Sequence, residues 1–197
     1  MDKDLKFLQT WTNDELDPLV NIITDTFSNF LAISDRYKEY YPDHQKYLLE
    51  IEKEFLAYGG NTFTNFFGNP TYRDILEKVC KELDVAHNPN DPDVWGMERN
   101  LLEKVTGQDW EETSDAQKED FLEEFDAKSI WGTNGGMLGN AAKKGLIYTG
   151  LRLLVGSLIS AAWLAHSIAG PAFRVIVPCV VYIALMRDKK ARMGELS

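Results

Sequence analysis

Apolar positions recur at helical spacing along most of this chain. Leu16, Leu19, Val20, Ile23, Phe27, Phe30 and Leu31 share one face of a helix. In front of them Thr12 and Glu15 stand three apart as a capping box, with Trp11 and Leu16 placed as a hydrophobic staple. Pro18 falls in the first turns, where proline is tolerated. A second helix is expected from Pro42, carrying Leu48, Ile51, Phe55 and Tyr58 and ending at Gly59 and Gly60. The aromatic "NTFTNFFGNP" follows as a packed linker. Ile75, Leu76, Val79, Cys80 and Leu83 then mark a third helix from Thr71. Prolines and turn formers in "AHNPNDPD" break it. Val94, Met97, Leu101 and Val105 outline a shorter helix closed at Gly107. Ser114 and Gln117 form another capping box before Phe121, Leu122 and Phe125. No stretch alternates with a period of two over a useful length. The pattern predicts an all-α fold.

Beyond the glycine-rich "WGTNGGMLGN" the pattern changes. From Leu153 to Phe173 there are 21 residues without a formal charge, flanked by Arg152 and Arg174. As a helix this run would reach about 30 Å, the thickness of a bilayer's hydrocarbon core. Val175 to Met186 adds 12 apolar residues, which as a helix would extend only about 18 Å, too short to span. The two runs read as the arms of a hairpin with Gly170-Pro171 at its bend and Pro178 kinking or restarting the second arm. Gly156 and Ser160 supply the small-residue spacing that lets helices approach closely. The expected architecture is an acidic multi-helix bundle over 1–127, a glycine-rich connection over 128–144 and an apolar, basic helical hairpin over 145–197.

Composition sharpens this division. The chain is 44% hydrophobic and 26% charged, which fits a folded protein rather than a disordered one. Residues 1–127 hold 12 Lys and Arg against 29 Asp and Glu, whereas residues 128–197 hold 9 against 2. An acidic first part repels nucleic acid and anionic lipid, so no nucleic-acid partner is expected. The basic second part attracts anionic lipid, and also the acidic part itself. The basic flanks Lys143, Lys144 and Arg152, with Arg187, Lys189, Lys190 and Arg192 beyond the apolar run, would keep both ends of a hairpin cytoplasmic.

Candidate chemistry is sparse. His44, His87 and His166 lie in separate segments, the first two reading as surface residues in or near turns. No zinc spacing, P-loop or dinucleotide fingerprint occurs. Asn88, Asn90, Asp91 and Asp93 lack the glycine and terminal glutamate of a calcium loop. Cys80 and Cys179 read as small buried apolar residues of a reducing cytoplasm, with pairing between them left open. The opening "MDKDLKF" has neither the basic start nor the apolar run of a secretory signal. No catalytic residue, metal or cofactor is expected.

Three segments resemble a known family. "DKDLKFLQ" with "NDELDPLV", the central "YGGNTFTNFFGNPTYRDILEKVCKEL", and "GPAFRVIVPCVV" look like the bacterial YaaW-like proteins. The resemblance covers nearly the whole chain, which is shorter than familiar members around the glycine-rich boundary. The family is functionally uncharacterised. Part of it has been grouped with ubiquinol–cytochrome c chaperone-like helical domains, which implies an all-α assembly or protein-binding role.

Two functions follow. The leading expectation is a non-enzymatic cytoplasmic protein whose hairpin contacts or enters the inner membrane, with lipid as its partner and the acidic helices regulating it. The alternative is a soluble interaction or assembly module, with a protein partner or a second copy, in which the hairpin is buried. Arg174 distinguishes them: it meets a carboxylate of the acidic part in the second case, and water or lipid phosphate in the first.

Overall fold

The computed structural model describes residues 1–24, 30–62, 70–127 and 173–196. Every regular element among them is helical, as the apolar spacing predicts. A 3-10 helix over Lys3–Thr10 leads into α1 (Asn13–Thr24). The Thr12 capping box forms: Glu15 N–H donates to Thr12 Oγ1 at 3.2 Å, and Thr12 N–H to Glu15 Oε2 at 2.8 Å. α1 is described as far as Thr24; residues 25–29, Phe27 among them, lie outside the described residues, and Phe30 and Leu31 fall in a bend and a turn rather than on a helix. Phe30 is 71% exposed, while Leu31 is buried.

Short α2 (Asp35–Tyr40) is capped by Ser34, whose hydroxyl accepts from Tyr37 N–H. The helix expected from Pro42 begins instead as a 3-10 turn over His44–Tyr47 and continues as α3 (Leu48–Thr62). Gly59 and Gly60 do not end α3. A Cβ on Gly59 would lie 2.5 Å from Ile75 Cγ1, so this glycine allows α3 to approach the next helix closely. That next helix, α4 (Tyr72–Glu82), opens on a capping box between Thr71 and Asp74. α5 (Trp95–Thr106) ends at Gly107, which takes the left-handed conformation at φ 68°. α6 (Asp115–Ala127) starts from the Ser114–Gln117 box, with Gln117 N–H donating to Ser114 Oγ at 3.3 Å.

The last helix, α7 (Phe173–Arg192), organises the rest. It runs through Pro178 as one element, so the proline does not restart it. α1, α3, α4, α5 and α6 all pack on it. α6 lies antiparallel to it, with Asp115 near Arg192, Glu119 at Lys189 and Phe125 stacked on Tyr182 at 5.1 Å. Val175 to Met186 are buried without a break. Three successive turns with no exposed face are the mark of a central helix rather than of a surface one. The apolar second arm is therefore the core of the described body. Residues 128–172, which hold the glycine-rich connection, the first arm and the bend, lie outside the described residues.

Candidate functional site

The basic end of α7 gathers the most concentrated chemistry. Arg187 is only 6% exposed and its Nε lies 2.7 Å from Glu98 Oε2 in the first turn of α5. Tyr72, the first residue of α4, donates its hydroxyl to Glu98 Oε1 at 2.6 Å. The guanidinium also donates to the Asp4 carbonyl at 2.5 Å and lies over the Phe7 ring, 4.0 Å from its centroid. One buried cation thus ties α7 to α4, α5 and the amino-terminal turn. Burial pushes the Glu98 carboxyl above its ordinary value, against the pull of Arg187 and Tyr72. Burial opposes the Arg187 cation as well, and Glu98, Tyr72 and Asp4 together more than offset it.

The residues that follow are paired too. Lys189 reaches Glu119 at 2.7 Å, and Lys190, 5% exposed at its side chain, bridges Glu15 at 2.9 Å and Glu195 at 2.8 Å. Arg192 binds Asp188 at 2.9 Å, and Trp110 Nε1 donates to Asp188 at 3.0 Å. Tyr182 donates its hydroxyl to the Glu15 carbonyl at 2.8 Å. The basic flank beyond the apolar run therefore faces carboxylates of the acidic helices.

Of the hairpin residues singled out in the sequence, Arg187, Lys189 and Lys190 come together here, and Pro178 sits in the buried middle of α7. Arg152, Gly156, Ser160, Gly170 and Pro171 lie outside the described residues. So does the side chain of Arg174, although its backbone is in the first turn of α7. Sequence reasoning missed Glu98. A buried acid stands at i and Leu101, Leu102 at i+3 and i+4, so Glu98 falls within the apolar stripe of α5, a signal that was readable.

A second polar cluster was missed because His44 is not a surface residue. It is 1% exposed, against a 45% exposed Asp17. His44 Nε2 lies 3.1 Å from Asp17 Oδ1, and Nδ1 lies 2.5 Å from the Tyr47 hydroxyl. Asn21 holds the other Asp17 oxygen at 2.9 Å. The "DHQKY" segment folds back on α1, with Gln45 N–H donating to Asn13 Oδ1 at 3.1 Å. His87 is a turn residue, bonded through Nδ1 to the Val85 carbonyl.

Cys80 and Cys179 are buried and free of each other. Burial raises the Cys80 thiol to about 12 and holds that of Cys179 well above its ordinary value, so neither is a thiolate at neutral pH. Among the described residues no group of His, Cys, Asp or Glu could hold a metal ion, and no helix is long and apolar enough to cross a membrane.

No family model matches the chain, and no solved structure does. Curated relatives do. A UPF0174 protein of Helicobacter pylori is 27% identical over 239 residues, covering 98% of this chain and 94% of the relative. That span exceeds the 197 residues here, so the match includes residues this chain lacks. A second Helicobacter pylori UPF0174 protein is 29% identical over 81% of this chain and 96% of its own length. The UPF0174 protein YaaW of Escherichia coli is 24% identical, covering 94% of both chains. These matches make the chain a homologue of the UPF0174 proteins and bear out its resemblance to the YaaW-like family.

Proposed function

We propose that this protein works by binding rather than catalysis, as a helical interaction or assembly module in which α7 is a fixed core element. The observation that carries this reading is the unbroken burial of Val175 to Met186 inside five other helices. Entry of α7 into a bilayer would dismantle those contacts and strand Glu98 without its cation, a large cost for a buried charge. The basic residues that would greet anionic lipid already hold Glu15, Glu98 and Glu119. The exposed carboxylates of Glu112, Asp120 and Glu123 favour a partner with a basic protein surface.

Flotation of the full chain with anionic vesicles, combined with hydrogen exchange of α7, tests the proposal. The expected result is that the 175–186 amides keep their protection whether or not the protein floats. Flotation with that protection intact would place the lipid contact outside α7. Flotation with loss of α7 protection would overturn the proposal in favour of hairpin insertion.

A further inference from the structure

Four of the chain's eight tyrosines fall within Tyr37–Tyr47, around the one histidine that is buried among the described residues. The proton positions in that cluster follow from its donors and acceptors. The Asp17 carboxylate can only accept, so His44 Nε2 carries the hydrogen that points at it across 3.1 Å. His44 Nδ1 is then left as an acceptor, and the Tyr47 hydroxyl at 2.5 Å donates to it. Tyr47 is fully buried, and its phenol is held well above its ordinary range by burial and by neighbouring Tyr37, Tyr41, Asp17 and Asp43. It therefore stays protonated, with a base already seated on its proton.

The neighbouring rings connect this pair to the surface. Tyr47 lies 5.5 Å from Tyr37 between ring centroids, and Tyr37 lies 5.2 Å from Tyr41, which is 50% exposed. Tyr41 also meets the His44 ring edge at 5.8 Å. A solvent-facing phenol is thus joined by ring contacts to a buried one that has a proton acceptor.

We infer that Tyr47 is a redox-active tyrosine, oxidised by one electron through the Tyr37–Tyr41 rings while its proton passes to His44. The oxidant is a one-electron acceptor in solution, such as a metal(III) complex or an organic radical. It takes one electron from the Tyr47 phenol, directly or through the ring series. The O–H bond breaks, the proton binds His44 Nδ1, and the products are a neutral phenoxyl radical and an imidazolium. Asp17 faces that imidazolium and stabilises its charge. An outside one-electron reductant, a thiol or an enediol, returns the electron, and His44 returns the proton. Burial keeps the radical from coupling with a second molecule, which an exposed Tyr41 radical would do.

The test is electron paramagnetic resonance of the intact protein after photochemical oxidation by a ruthenium(III) polypyridyl complex. The wild type is expected to give a long-lived tyrosyl signal and little dityrosine. Tyr47→Phe should lose the long-lived signal and gain dityrosine-linked dimers through Tyr41. His44→Gln, shown folded by circular dichroism, should shorten the radical's lifetime about tenfold or more, since the imidazolium can no longer form. If His44→Gln does not fold, Asp17→Asn gives the same reading: it keeps a hydrogen-bond acceptor for Nε2 and removes the charge, with Asn21 turning its own amide oxygen to the new NH2. An unchanged long-lived signal in Tyr47→Phe overturns the inference. So does an unchanged lifetime in folded His44→Gln or, where that variant does not fold, in Asp17→Asn.

Discussion

Replacing Glu98 with alanine should be among the most damaging single changes to this protein. Glu98 is 3% exposed and engages Arg187 Nε through both oxygens, at 2.7 and 3.0 Å, while accepting from the Tyr72 hydroxyl at 2.6 Å. Its removal leaves a buried guanidinium without a counter-charge, which costs about 3–5 kcal/mol. The stranded Tyr72 hydroxyl adds about 1 kcal/mol or more. Arg187 keeps the Asp4 carbonyl and the Phe7 ring, which hold the loss within that range. A domain of this size is stable by about 5–15 kcal/mol, so the change removes a large share. Removing the whole polar set behaves differently. Glu98→Leu with Arg187→Met and Tyr72→Phe takes every desolvated partner away together, and should be close to neutral or stabilising by about 1–4 kcal/mol. Urea unfolding followed by far-ultraviolet circular dichroism at neutral pH measures both. A Glu98→Ala loss below about 1 kcal/mol would refute the reasoning, as would a triple variant as unstable as the single one.

Three further outcomes follow from particular contacts. Gly59→Ala should destabilise by about 1–3 kcal/mol in the same assay, because the new Cβ crowds buried Ile75. Gly107→Ala meets no atom within 4 Å and should lose only about 1–2 kcal/mol, from the left-handed backbone at φ 68°. Glu15→Gln keeps the cap on Thr12 but loses the charge facing Lys190, and should cost about 1 kcal/mol at neutral pH. Burial raises the Glu15 carboxyl, but its bonds to Thr12 and Lys190 outweigh this and hold it below 4.5. Its stabilisation is therefore complete above that pH and fades as pH falls through the depressed value. Unfolding curves of the two proteins should converge in acid.

Local signals in the sequence carried most of the helices. Capping boxes at Thr12 and Ser114 and the left-handed Gly107 depend on neighbours three or four residues away, so a linear reading finds them. The course of the chain after α1 and the extent of α3 depended on tertiary contacts. Phe30 fits the apolar period of α1, yet the chain turns so that its N–H donates to Glu54 at 2.7 Å. Gly59 looked like a stop signal because glycine serves both as a cap and as a point of close packing. The site was harder still. An apolar run between basic residues has the same composition whether lipid or other helices surround it. The partner that Arg187 finds among the described residues is a carboxylate 89 positions away, Glu98, which no spacing rule connects. His44 was misplaced for the same reason, since its partner Asp17 stands 27 residues earlier.

Native-state hydrogen exchange of α7 tests the central claim most directly. If α7 is the fixed core, the amides of Ile176, Cys179 and Ile183 exchange only through global unfolding. Their free energy then equals the one from urea, and anionic vesicles leave it unchanged. Exchange several kcal/mol below the global value, or exchange opened by vesicles, would show that α7 leaves the bundle and would contradict the account.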